Sequence, residues 1–82
     1  MNKTKQKLSD IPLGGSVIIV GFEDEVLSLK LMEMGFIPGA SVKVDLEAPL
    51  GCPVCVTIGG DYQVSLRKSE AATVIVQNLK KD

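Results

Sequence analysis

The chain has 82 residues, 45% of them apolar, and a formal net charge of −1. That length fits one domain burying about 60–65% of its unfolded surface, and the apolar fraction excludes a disordered tail as its main content. The near-neutral charge supplies no basic field for nucleic acid or an anionic membrane, and Phe22, Phe36 and Tyr62, the only aromatics, are too few for a base-stacking platform.

In chain order, Lys3, Lys5 and Lys7 are not followed by the apolar run of about 7–15 residues that a secretory leader needs. No segment approaches the roughly 20 apolar residues that cross a bilayer. The expectation is a cytoplasmic chain without direct membrane insertion. Residues 1–7 read as a flexible arm, residues 8–77 as the domain and residues 78–82 as a polar tail.

Leu8-Ser9-Asp10-Ile11 has the spacing of one helical turn, with Leu8 and Ile11 buried together and Ser9 or Asp10 available as a cap. Ser16 to Phe22 is β-branched and nearly all apolar, the pattern of a strand covered on both faces, and Gly21 marks a bulge or a bend. Asp24 or Glu23 then places negative charge where a helix would begin. Leu27, Leu31 and Met34 recur at helical spacing and share one face. Gly35 stops the helix, and Pro38-Gly39 turns the chain.

Leu29 and Met32 form a second apolar stripe on this helix, which the core-facing stripe does not explain. Two readings stand: packing beneath the N-terminal arm or a loop, or docking of a partner.

Beyond the turn the period becomes two. Val42, Val44, Leu46 and Ala48 alternate with Ser41, Lys43, Asp45 and Glu47; Val54, Val56 and Ile58 alternate with Cys55 and Thr57. Gly59-Gly60 or Gly60-Asp61 closes a hairpin into Tyr62, Val64 and Leu66. Residues 68–72 form a 3₁₀ turn before a last short strand from Thr73 to Val76. About five short antiparallel strands with one short helix inserted after the first predict a mainly β fold, a small SH3-like barrel.

Catalysis finds no foothold. Histidine, the commonest general base, is absent. Asp45 and Glu47 read as the solvated side of a strand, and neither Gly-Gly pair belongs to a phosphate loop. No cofactor is expected.

Four stretches together carry a resemblance: Leu8-Ser9-Asp10-Ile11 with Gly14, Leu31-Met32-Glu33-Met34-Gly35-Phe36-Ile37-Pro38-Gly39, Ala48-Pro49-Leu50-Gly51, and Leu66-Arg67-Lys68-Ser69-Glu70-Ala71. In this order they resemble the FeoA family, the small cytoplasmic component of bacterial ferrous iron uptake. The resemblance covers residues 8 to 76. It implies an SH3-like barrel and a non-catalytic accessory protein whose partner is the membrane transporter FeoB, through its cytoplasmic GTP-binding (GTPase) domain. On that reading Leu29, Met32, Pro49, Leu50 and Gly51 are the partner-binding residues, and a monomer or a weak homodimer is expected.

Cys52-Pro53-Val54-Cys55 departs from the family pattern. Its spacing is that of metal hooks and redox centres, but a strand rather than a helix follows it. A closed structural zinc site needs four N or S ligands, and this chain has two cysteines and no histidine. The alternative function is a small metal-binding protein holding iron or zinc through Cys52 and Cys55, with two chains pairing their hooks in a dimer. Thiols left unligated in a reducing cytoplasm are the plainer reading.

Overall fold

A computed structural model describes residues 5–47, 53–60 and 62–78. The elements are β1 (Gln6–Lys7), a 3₁₀ turn (Leu8–Asp10), β2 (Ser16–Phe22), α1 (Glu25–Glu33), β3 (Ser41–Glu47), β4 (Val54–Ile58), β5 (Tyr62–Leu66), α2 (Lys68–Ala71) and β6 (Val74–Asn78). The strands make one antiparallel sheet in the order β1-β6-β2-β3-β4-β5. The mainly β, SH3-like expectation holds, with six strands where about five were expected.

The additional strand comes from the stretch read as an arm: Gln6 pairs with Val76 and Lys7 with Ile75. A strand of two residues has no hydrophobic period to reveal it. It forms because β6 offers an edge with open hydrogen-bonding groups. At the other end Asn78, assigned to the tail, pairs with Val17.

One core takes side chains from every layer. Val17, Ile19, Val42, Val44, Val56, Val74 and Val76 are at most 1% exposed on the strands, joined by Leu31 from α1, Phe36 after it and Ala71 from α2, each at 0%. Leu8 and Ile11 close one end of the core, as their spacing predicts. Their turn has Lys7 at its N-cap and no side-chain cap, so neither Ser9 nor Asp10 takes the expected role.

Two bulges interrupt the period-two pattern. Ile19 pairs with Val76 and Gly21 with Ile75, so Val20 is the extra residue beside the glycine that marked the bend. The expectation that β2 is covered on both faces fails: its burial alternates, and Val20 is 36% exposed. In β3, Val44 pairs with Val56 but Leu46 with Cys55. Asp45 is the extra residue, so the alternation predicted to run unbroken along β3 changes phase there; Ala48 lies outside the described residues. Ile58 pairs with Tyr62 across the hairpin; Asp61, one of the residues expected to close it, lies outside the described residues.

The termini of α1 follow the residue chemistry closely. Asp24 caps the start, its Oδ1 accepting the Leu27 N–H at 3.0 Å. At the end, Gly35 has φ +103; its N–H donates to the Met32 carbonyl and the Phe36 N–H donates to the Leu31 carbonyl, both at 3.0 Å. This double closure satisfies carbonyls that a helix end otherwise leaves unpaired. It also brings Phe36 back beside Leu31, the apolar contact that accompanies this motif. The Ala40 N–H donates to the Ile37 carbonyl at 2.8 Å across Pro38-Gly39, with Gly39 at φ +97, a type II turn.

At residues 68–72 the expected 3₁₀ turn is one turn of α-helix, α2. Glu70 Oε1 accepts the Arg67 N–H at 2.9 Å, and Oε2 accepts a hydrogen from Lys30 Nζ at 2.9 Å. The Glu70 side chain is only 14% exposed. The Arg67 N–H first, and the Lys30 ammonium second, hold its carboxyl below its usual value.

Two outcomes are expected. Leu31→Ala empties a site that is 0% exposed and should cost about 2–5 kcal/mol, read from the urea midpoint at an unchanged slope. A lowered folded pKa means that the Glu70 contribution is present above its unfolded pKa and is lost as pH falls through the folded value. Glu70→Gln should therefore lower stability at neutral pH and flatten its decline across the acid range, measured by urea titrations at stepped pH.

Candidate functional site

The outward side of α1 is the candidate site. Ser28 and Leu31 are its buried residues, and Leu27 and Met34 pack against the core. The opposite side carries Val26 and Leu29, one helical turn apart, at 82% and 63% exposure. Met32 is half-buried between the two sides. Of the second stripe, Leu29 therefore faces outward, and Met32 contributes only part of its surface.

The sequence reading missed Val26, the most exposed large apolar side chain among the described residues. Its spacing of three from Leu29 was the available signal. It also missed Ile37 and Tyr62, 54% and 53% exposed, which lie at the C-terminal end of the same helix. Tyr62 shares the two-residue period of Val64 and Leu66, which places it on the same strand face as the buried Leu66. Its ring lies against Gly35, whose added Cβ would sit 3.5 Å from Tyr62 Cε2. Because β5 ends the sheet order, no further strand among the described residues covers that corner.

Charge on this face is predominantly acidic. Asp24, Glu25 and Glu33 are exposed, and Lys30 Nζ is held 2.9 Å from Glu70. Glu23, just before the helix, has Lys7 Nζ at 3.6 Å. The pair between Lys30 and Glu70 links α1 to α2.

Pro49, Leu50, Gly51 and Cys52 lie outside the described residues. Cys55 is half-buried on β4, with its Sγ 3.6 Å from Ser65 Oγ on β5. Among the described residues no three His, Cys, Asp or Glu side chains converge as metal ligands would. Asp45 at the β3 bulge accepts hydrogens from Thr57 Oγ1 and from Gln63 Nε2 at 3.4 Å. It lines an open groove of about 350 Å³ with Ser16, Ser41, Val42, Lys43 and Thr57. Its carboxylate is occupied by Thr57 and Gln63, its two neighbours on the sheet. Among the described residues no helix is long and apolar enough to cross a membrane.

Comparison with known proteins agrees with this architecture. The FeoA domain family model matches residues 6–78. The Fe(2+) transport protein A/Fe(2+) transporter FeoB fusion protein of Porphyromonas gingivalis is 39% identical over 72 residues, which are 87% of this chain and 8% of that protein. The NMR structure of a FeoA-like protein from Clostridium acetobutylicum superposes with a TM-score of 0.86 at 30% identity, covering 100% of this chain and 94% of that one. Stenotrophomonas maltophilia FeoA, crystallised with zinc and described as a prokaryotic SH3 domain protein, gives 0.73 at 32% identity, covering 87% of this chain and 88% of its own. The family match spans nearly the whole barrel, from β1 to the end of β6, and the chain belongs to the FeoA family of ferrous iron transport.

Proposed function

We propose that this chain is a non-catalytic, cytoplasmic accessory protein of ferrous iron uptake that docks on the GTP-binding region of a FeoB-type transporter and modulates its activity or assembly. The observation that carries this is the fusion relative, in which a segment 39% identical to this chain belongs to the same polypeptide as an Fe(2+) transporter FeoB. Covalent linkage raises the effective concentration of two modules that work on one another. A separate chain must supply by contact what the fusion supplies by tether.

The outward side of α1 suits that contact. Apolar residues left exposed on a small domain mark interaction surfaces when they cluster, and Val26 and Leu29 lie one turn apart at 82% and 63% exposure. The helix is rigidly seated through Leu31 and Phe36, so binding there need not order a loose segment. GTP hydrolysis in this reading belongs to the partner, and this chain supplies a surface.

An NMR titration of the labelled chain with the transporter's GTP-binding domain tests the reading. Saturable shifts are expected at the amides of Glu25 to Phe36 and of Gly51 to Val56, and shifts confined to β1 and β6 would overturn it. Leu29→Asp, at an exposed position, should keep the fold and weaken binding by about tenfold or more. The double variant Cys52→Ser with Cys55→Ser should bind as the parent does; loss of binding on that change, restored by added iron or zinc, would instead favour the metal-holding function.

A further inference from the structure

Resting on the docking of α1 given above, we propose that its face is received by an apolar recess rimmed with lysine or arginine on the transporter. Val26 and Leu29 are the apolar anchors, and Glu25 and Glu33 are the charged rim.

Folding does not account for Val26. A β-branched residue lowers helix propensity, and at 82% exposure it gains almost nothing from packing in return. Leu29, one turn on, is 63% exposed. The two form a short apolar ridge on a helix whose opposite side is already satisfied by the core.

The charges around the ridge are of one sign. Glu25 adjoins Val26, and Glu33 lies one turn beyond Leu29 on the same side. Neither takes part in an ion pair among the described residues. Asp24 adds a third carboxylate at the helix start, engaged by the Leu27 N–H. The cation of this helix, Lys30, is directed to Glu70 at 2.9 Å and so does not offset Glu25 and Glu33. An apolar ridge between unpaired carboxylates is repelled by anionic lipid headgroups and by acidic protein surfaces. It is complemented by a recess with basic residues at its margin. Charges at such a rim act mainly on the rate of encounter, and the apolar centre acts mainly on the rate of dissociation.

Surface plasmon resonance of the full chain over detergent-solubilised, full-length transporter separates these roles, run at about 0.01 M and about 1 M ionic strength, where charges are screened beyond about 30 Å and 3 Å. The parent's association rate should fall by about tenfold or more between the two conditions. Glu25→Lys with Glu33→Lys should associate about tenfold more slowly than the parent at low salt and equally at high salt. Val26→Asp and Leu29→Asp should instead speed dissociation at both. A doubly reversed variant that associates at the parent rate or faster at low salt overturns the basic rim. If it does so while Leu29→Asp still abolishes binding, the docking face stands and only its charge complement is lost. If Val26→Asp and Leu29→Asp both bind as the parent does, the docking face itself is wrong.

Discussion

The closure of α1 at Gly35 is the constraint on which the remaining structure rests. With φ at +103, this residue lets two backbone N–H groups turn back onto the Met32 and Leu31 carbonyls. A side chain at this position would carry the steric cost of the left-handed region. The reversal has two results. Phe36 enters the core against Leu31, and the chain leaves the helix aimed at β2, where the Gly39 N–H donates to the Ile19 carbonyl at 2.7 Å and the Ile19 N–H donates to the Ala40 carbonyl at 3.0 Å. Helix, turn and sheet are therefore seated by one short stretch.

That seating decides what α1 presents. The helix is nine residues long, shorter than an isolated helix can sustain in water, so its order is owed to the barrel beneath it. Leu31 and Phe36 anchor one end of its buried side, and Lys30 is drawn to Glu70 on α2. The ion pair is partly exposed and contributes little energy of its own. Its consequence is orientation: it consumes the helix's one basic side chain and leaves an acidic, apolar surface outward.

An SH3-like barrel does not by itself specify a function. At the groove beside the β3 bulge, Asp45 is engaged by Thr57 and Gln63 within the sheet. Exposed apolar side chains also occur at Leu13, Val20, Ile37 and Tyr62, but the most exposed among the described residues, Val26, lies one turn from Leu29 on α1.

Much was legible in the residues alone, and for local reasons. The α1 boundaries, the Pro38-Gly39 turn, the bend at Gly21 and the inward faces of β3 and β4 up to Asp45 follow from φ preferences, capping and side-chain periodicity, which neighbours in sequence determine. The contribution of β1, the phase change at Asp45 and the outward turn of Tyr62 were not legible, because each depends on which strand lies alongside. Periodicity in β2 was misread as burial on both faces, since β-branched composition reports strand formation and not what covers it. The candidate site divides in the same way. The Leu29 stripe was visible as a departure from one-sided amphipathicity, whereas the exposure of Val26, the partial burial of Met32 and the capture of Lys30 by Glu70, a residue 40 positions away, are decided only when the sheet curls and brings α1 beside α2.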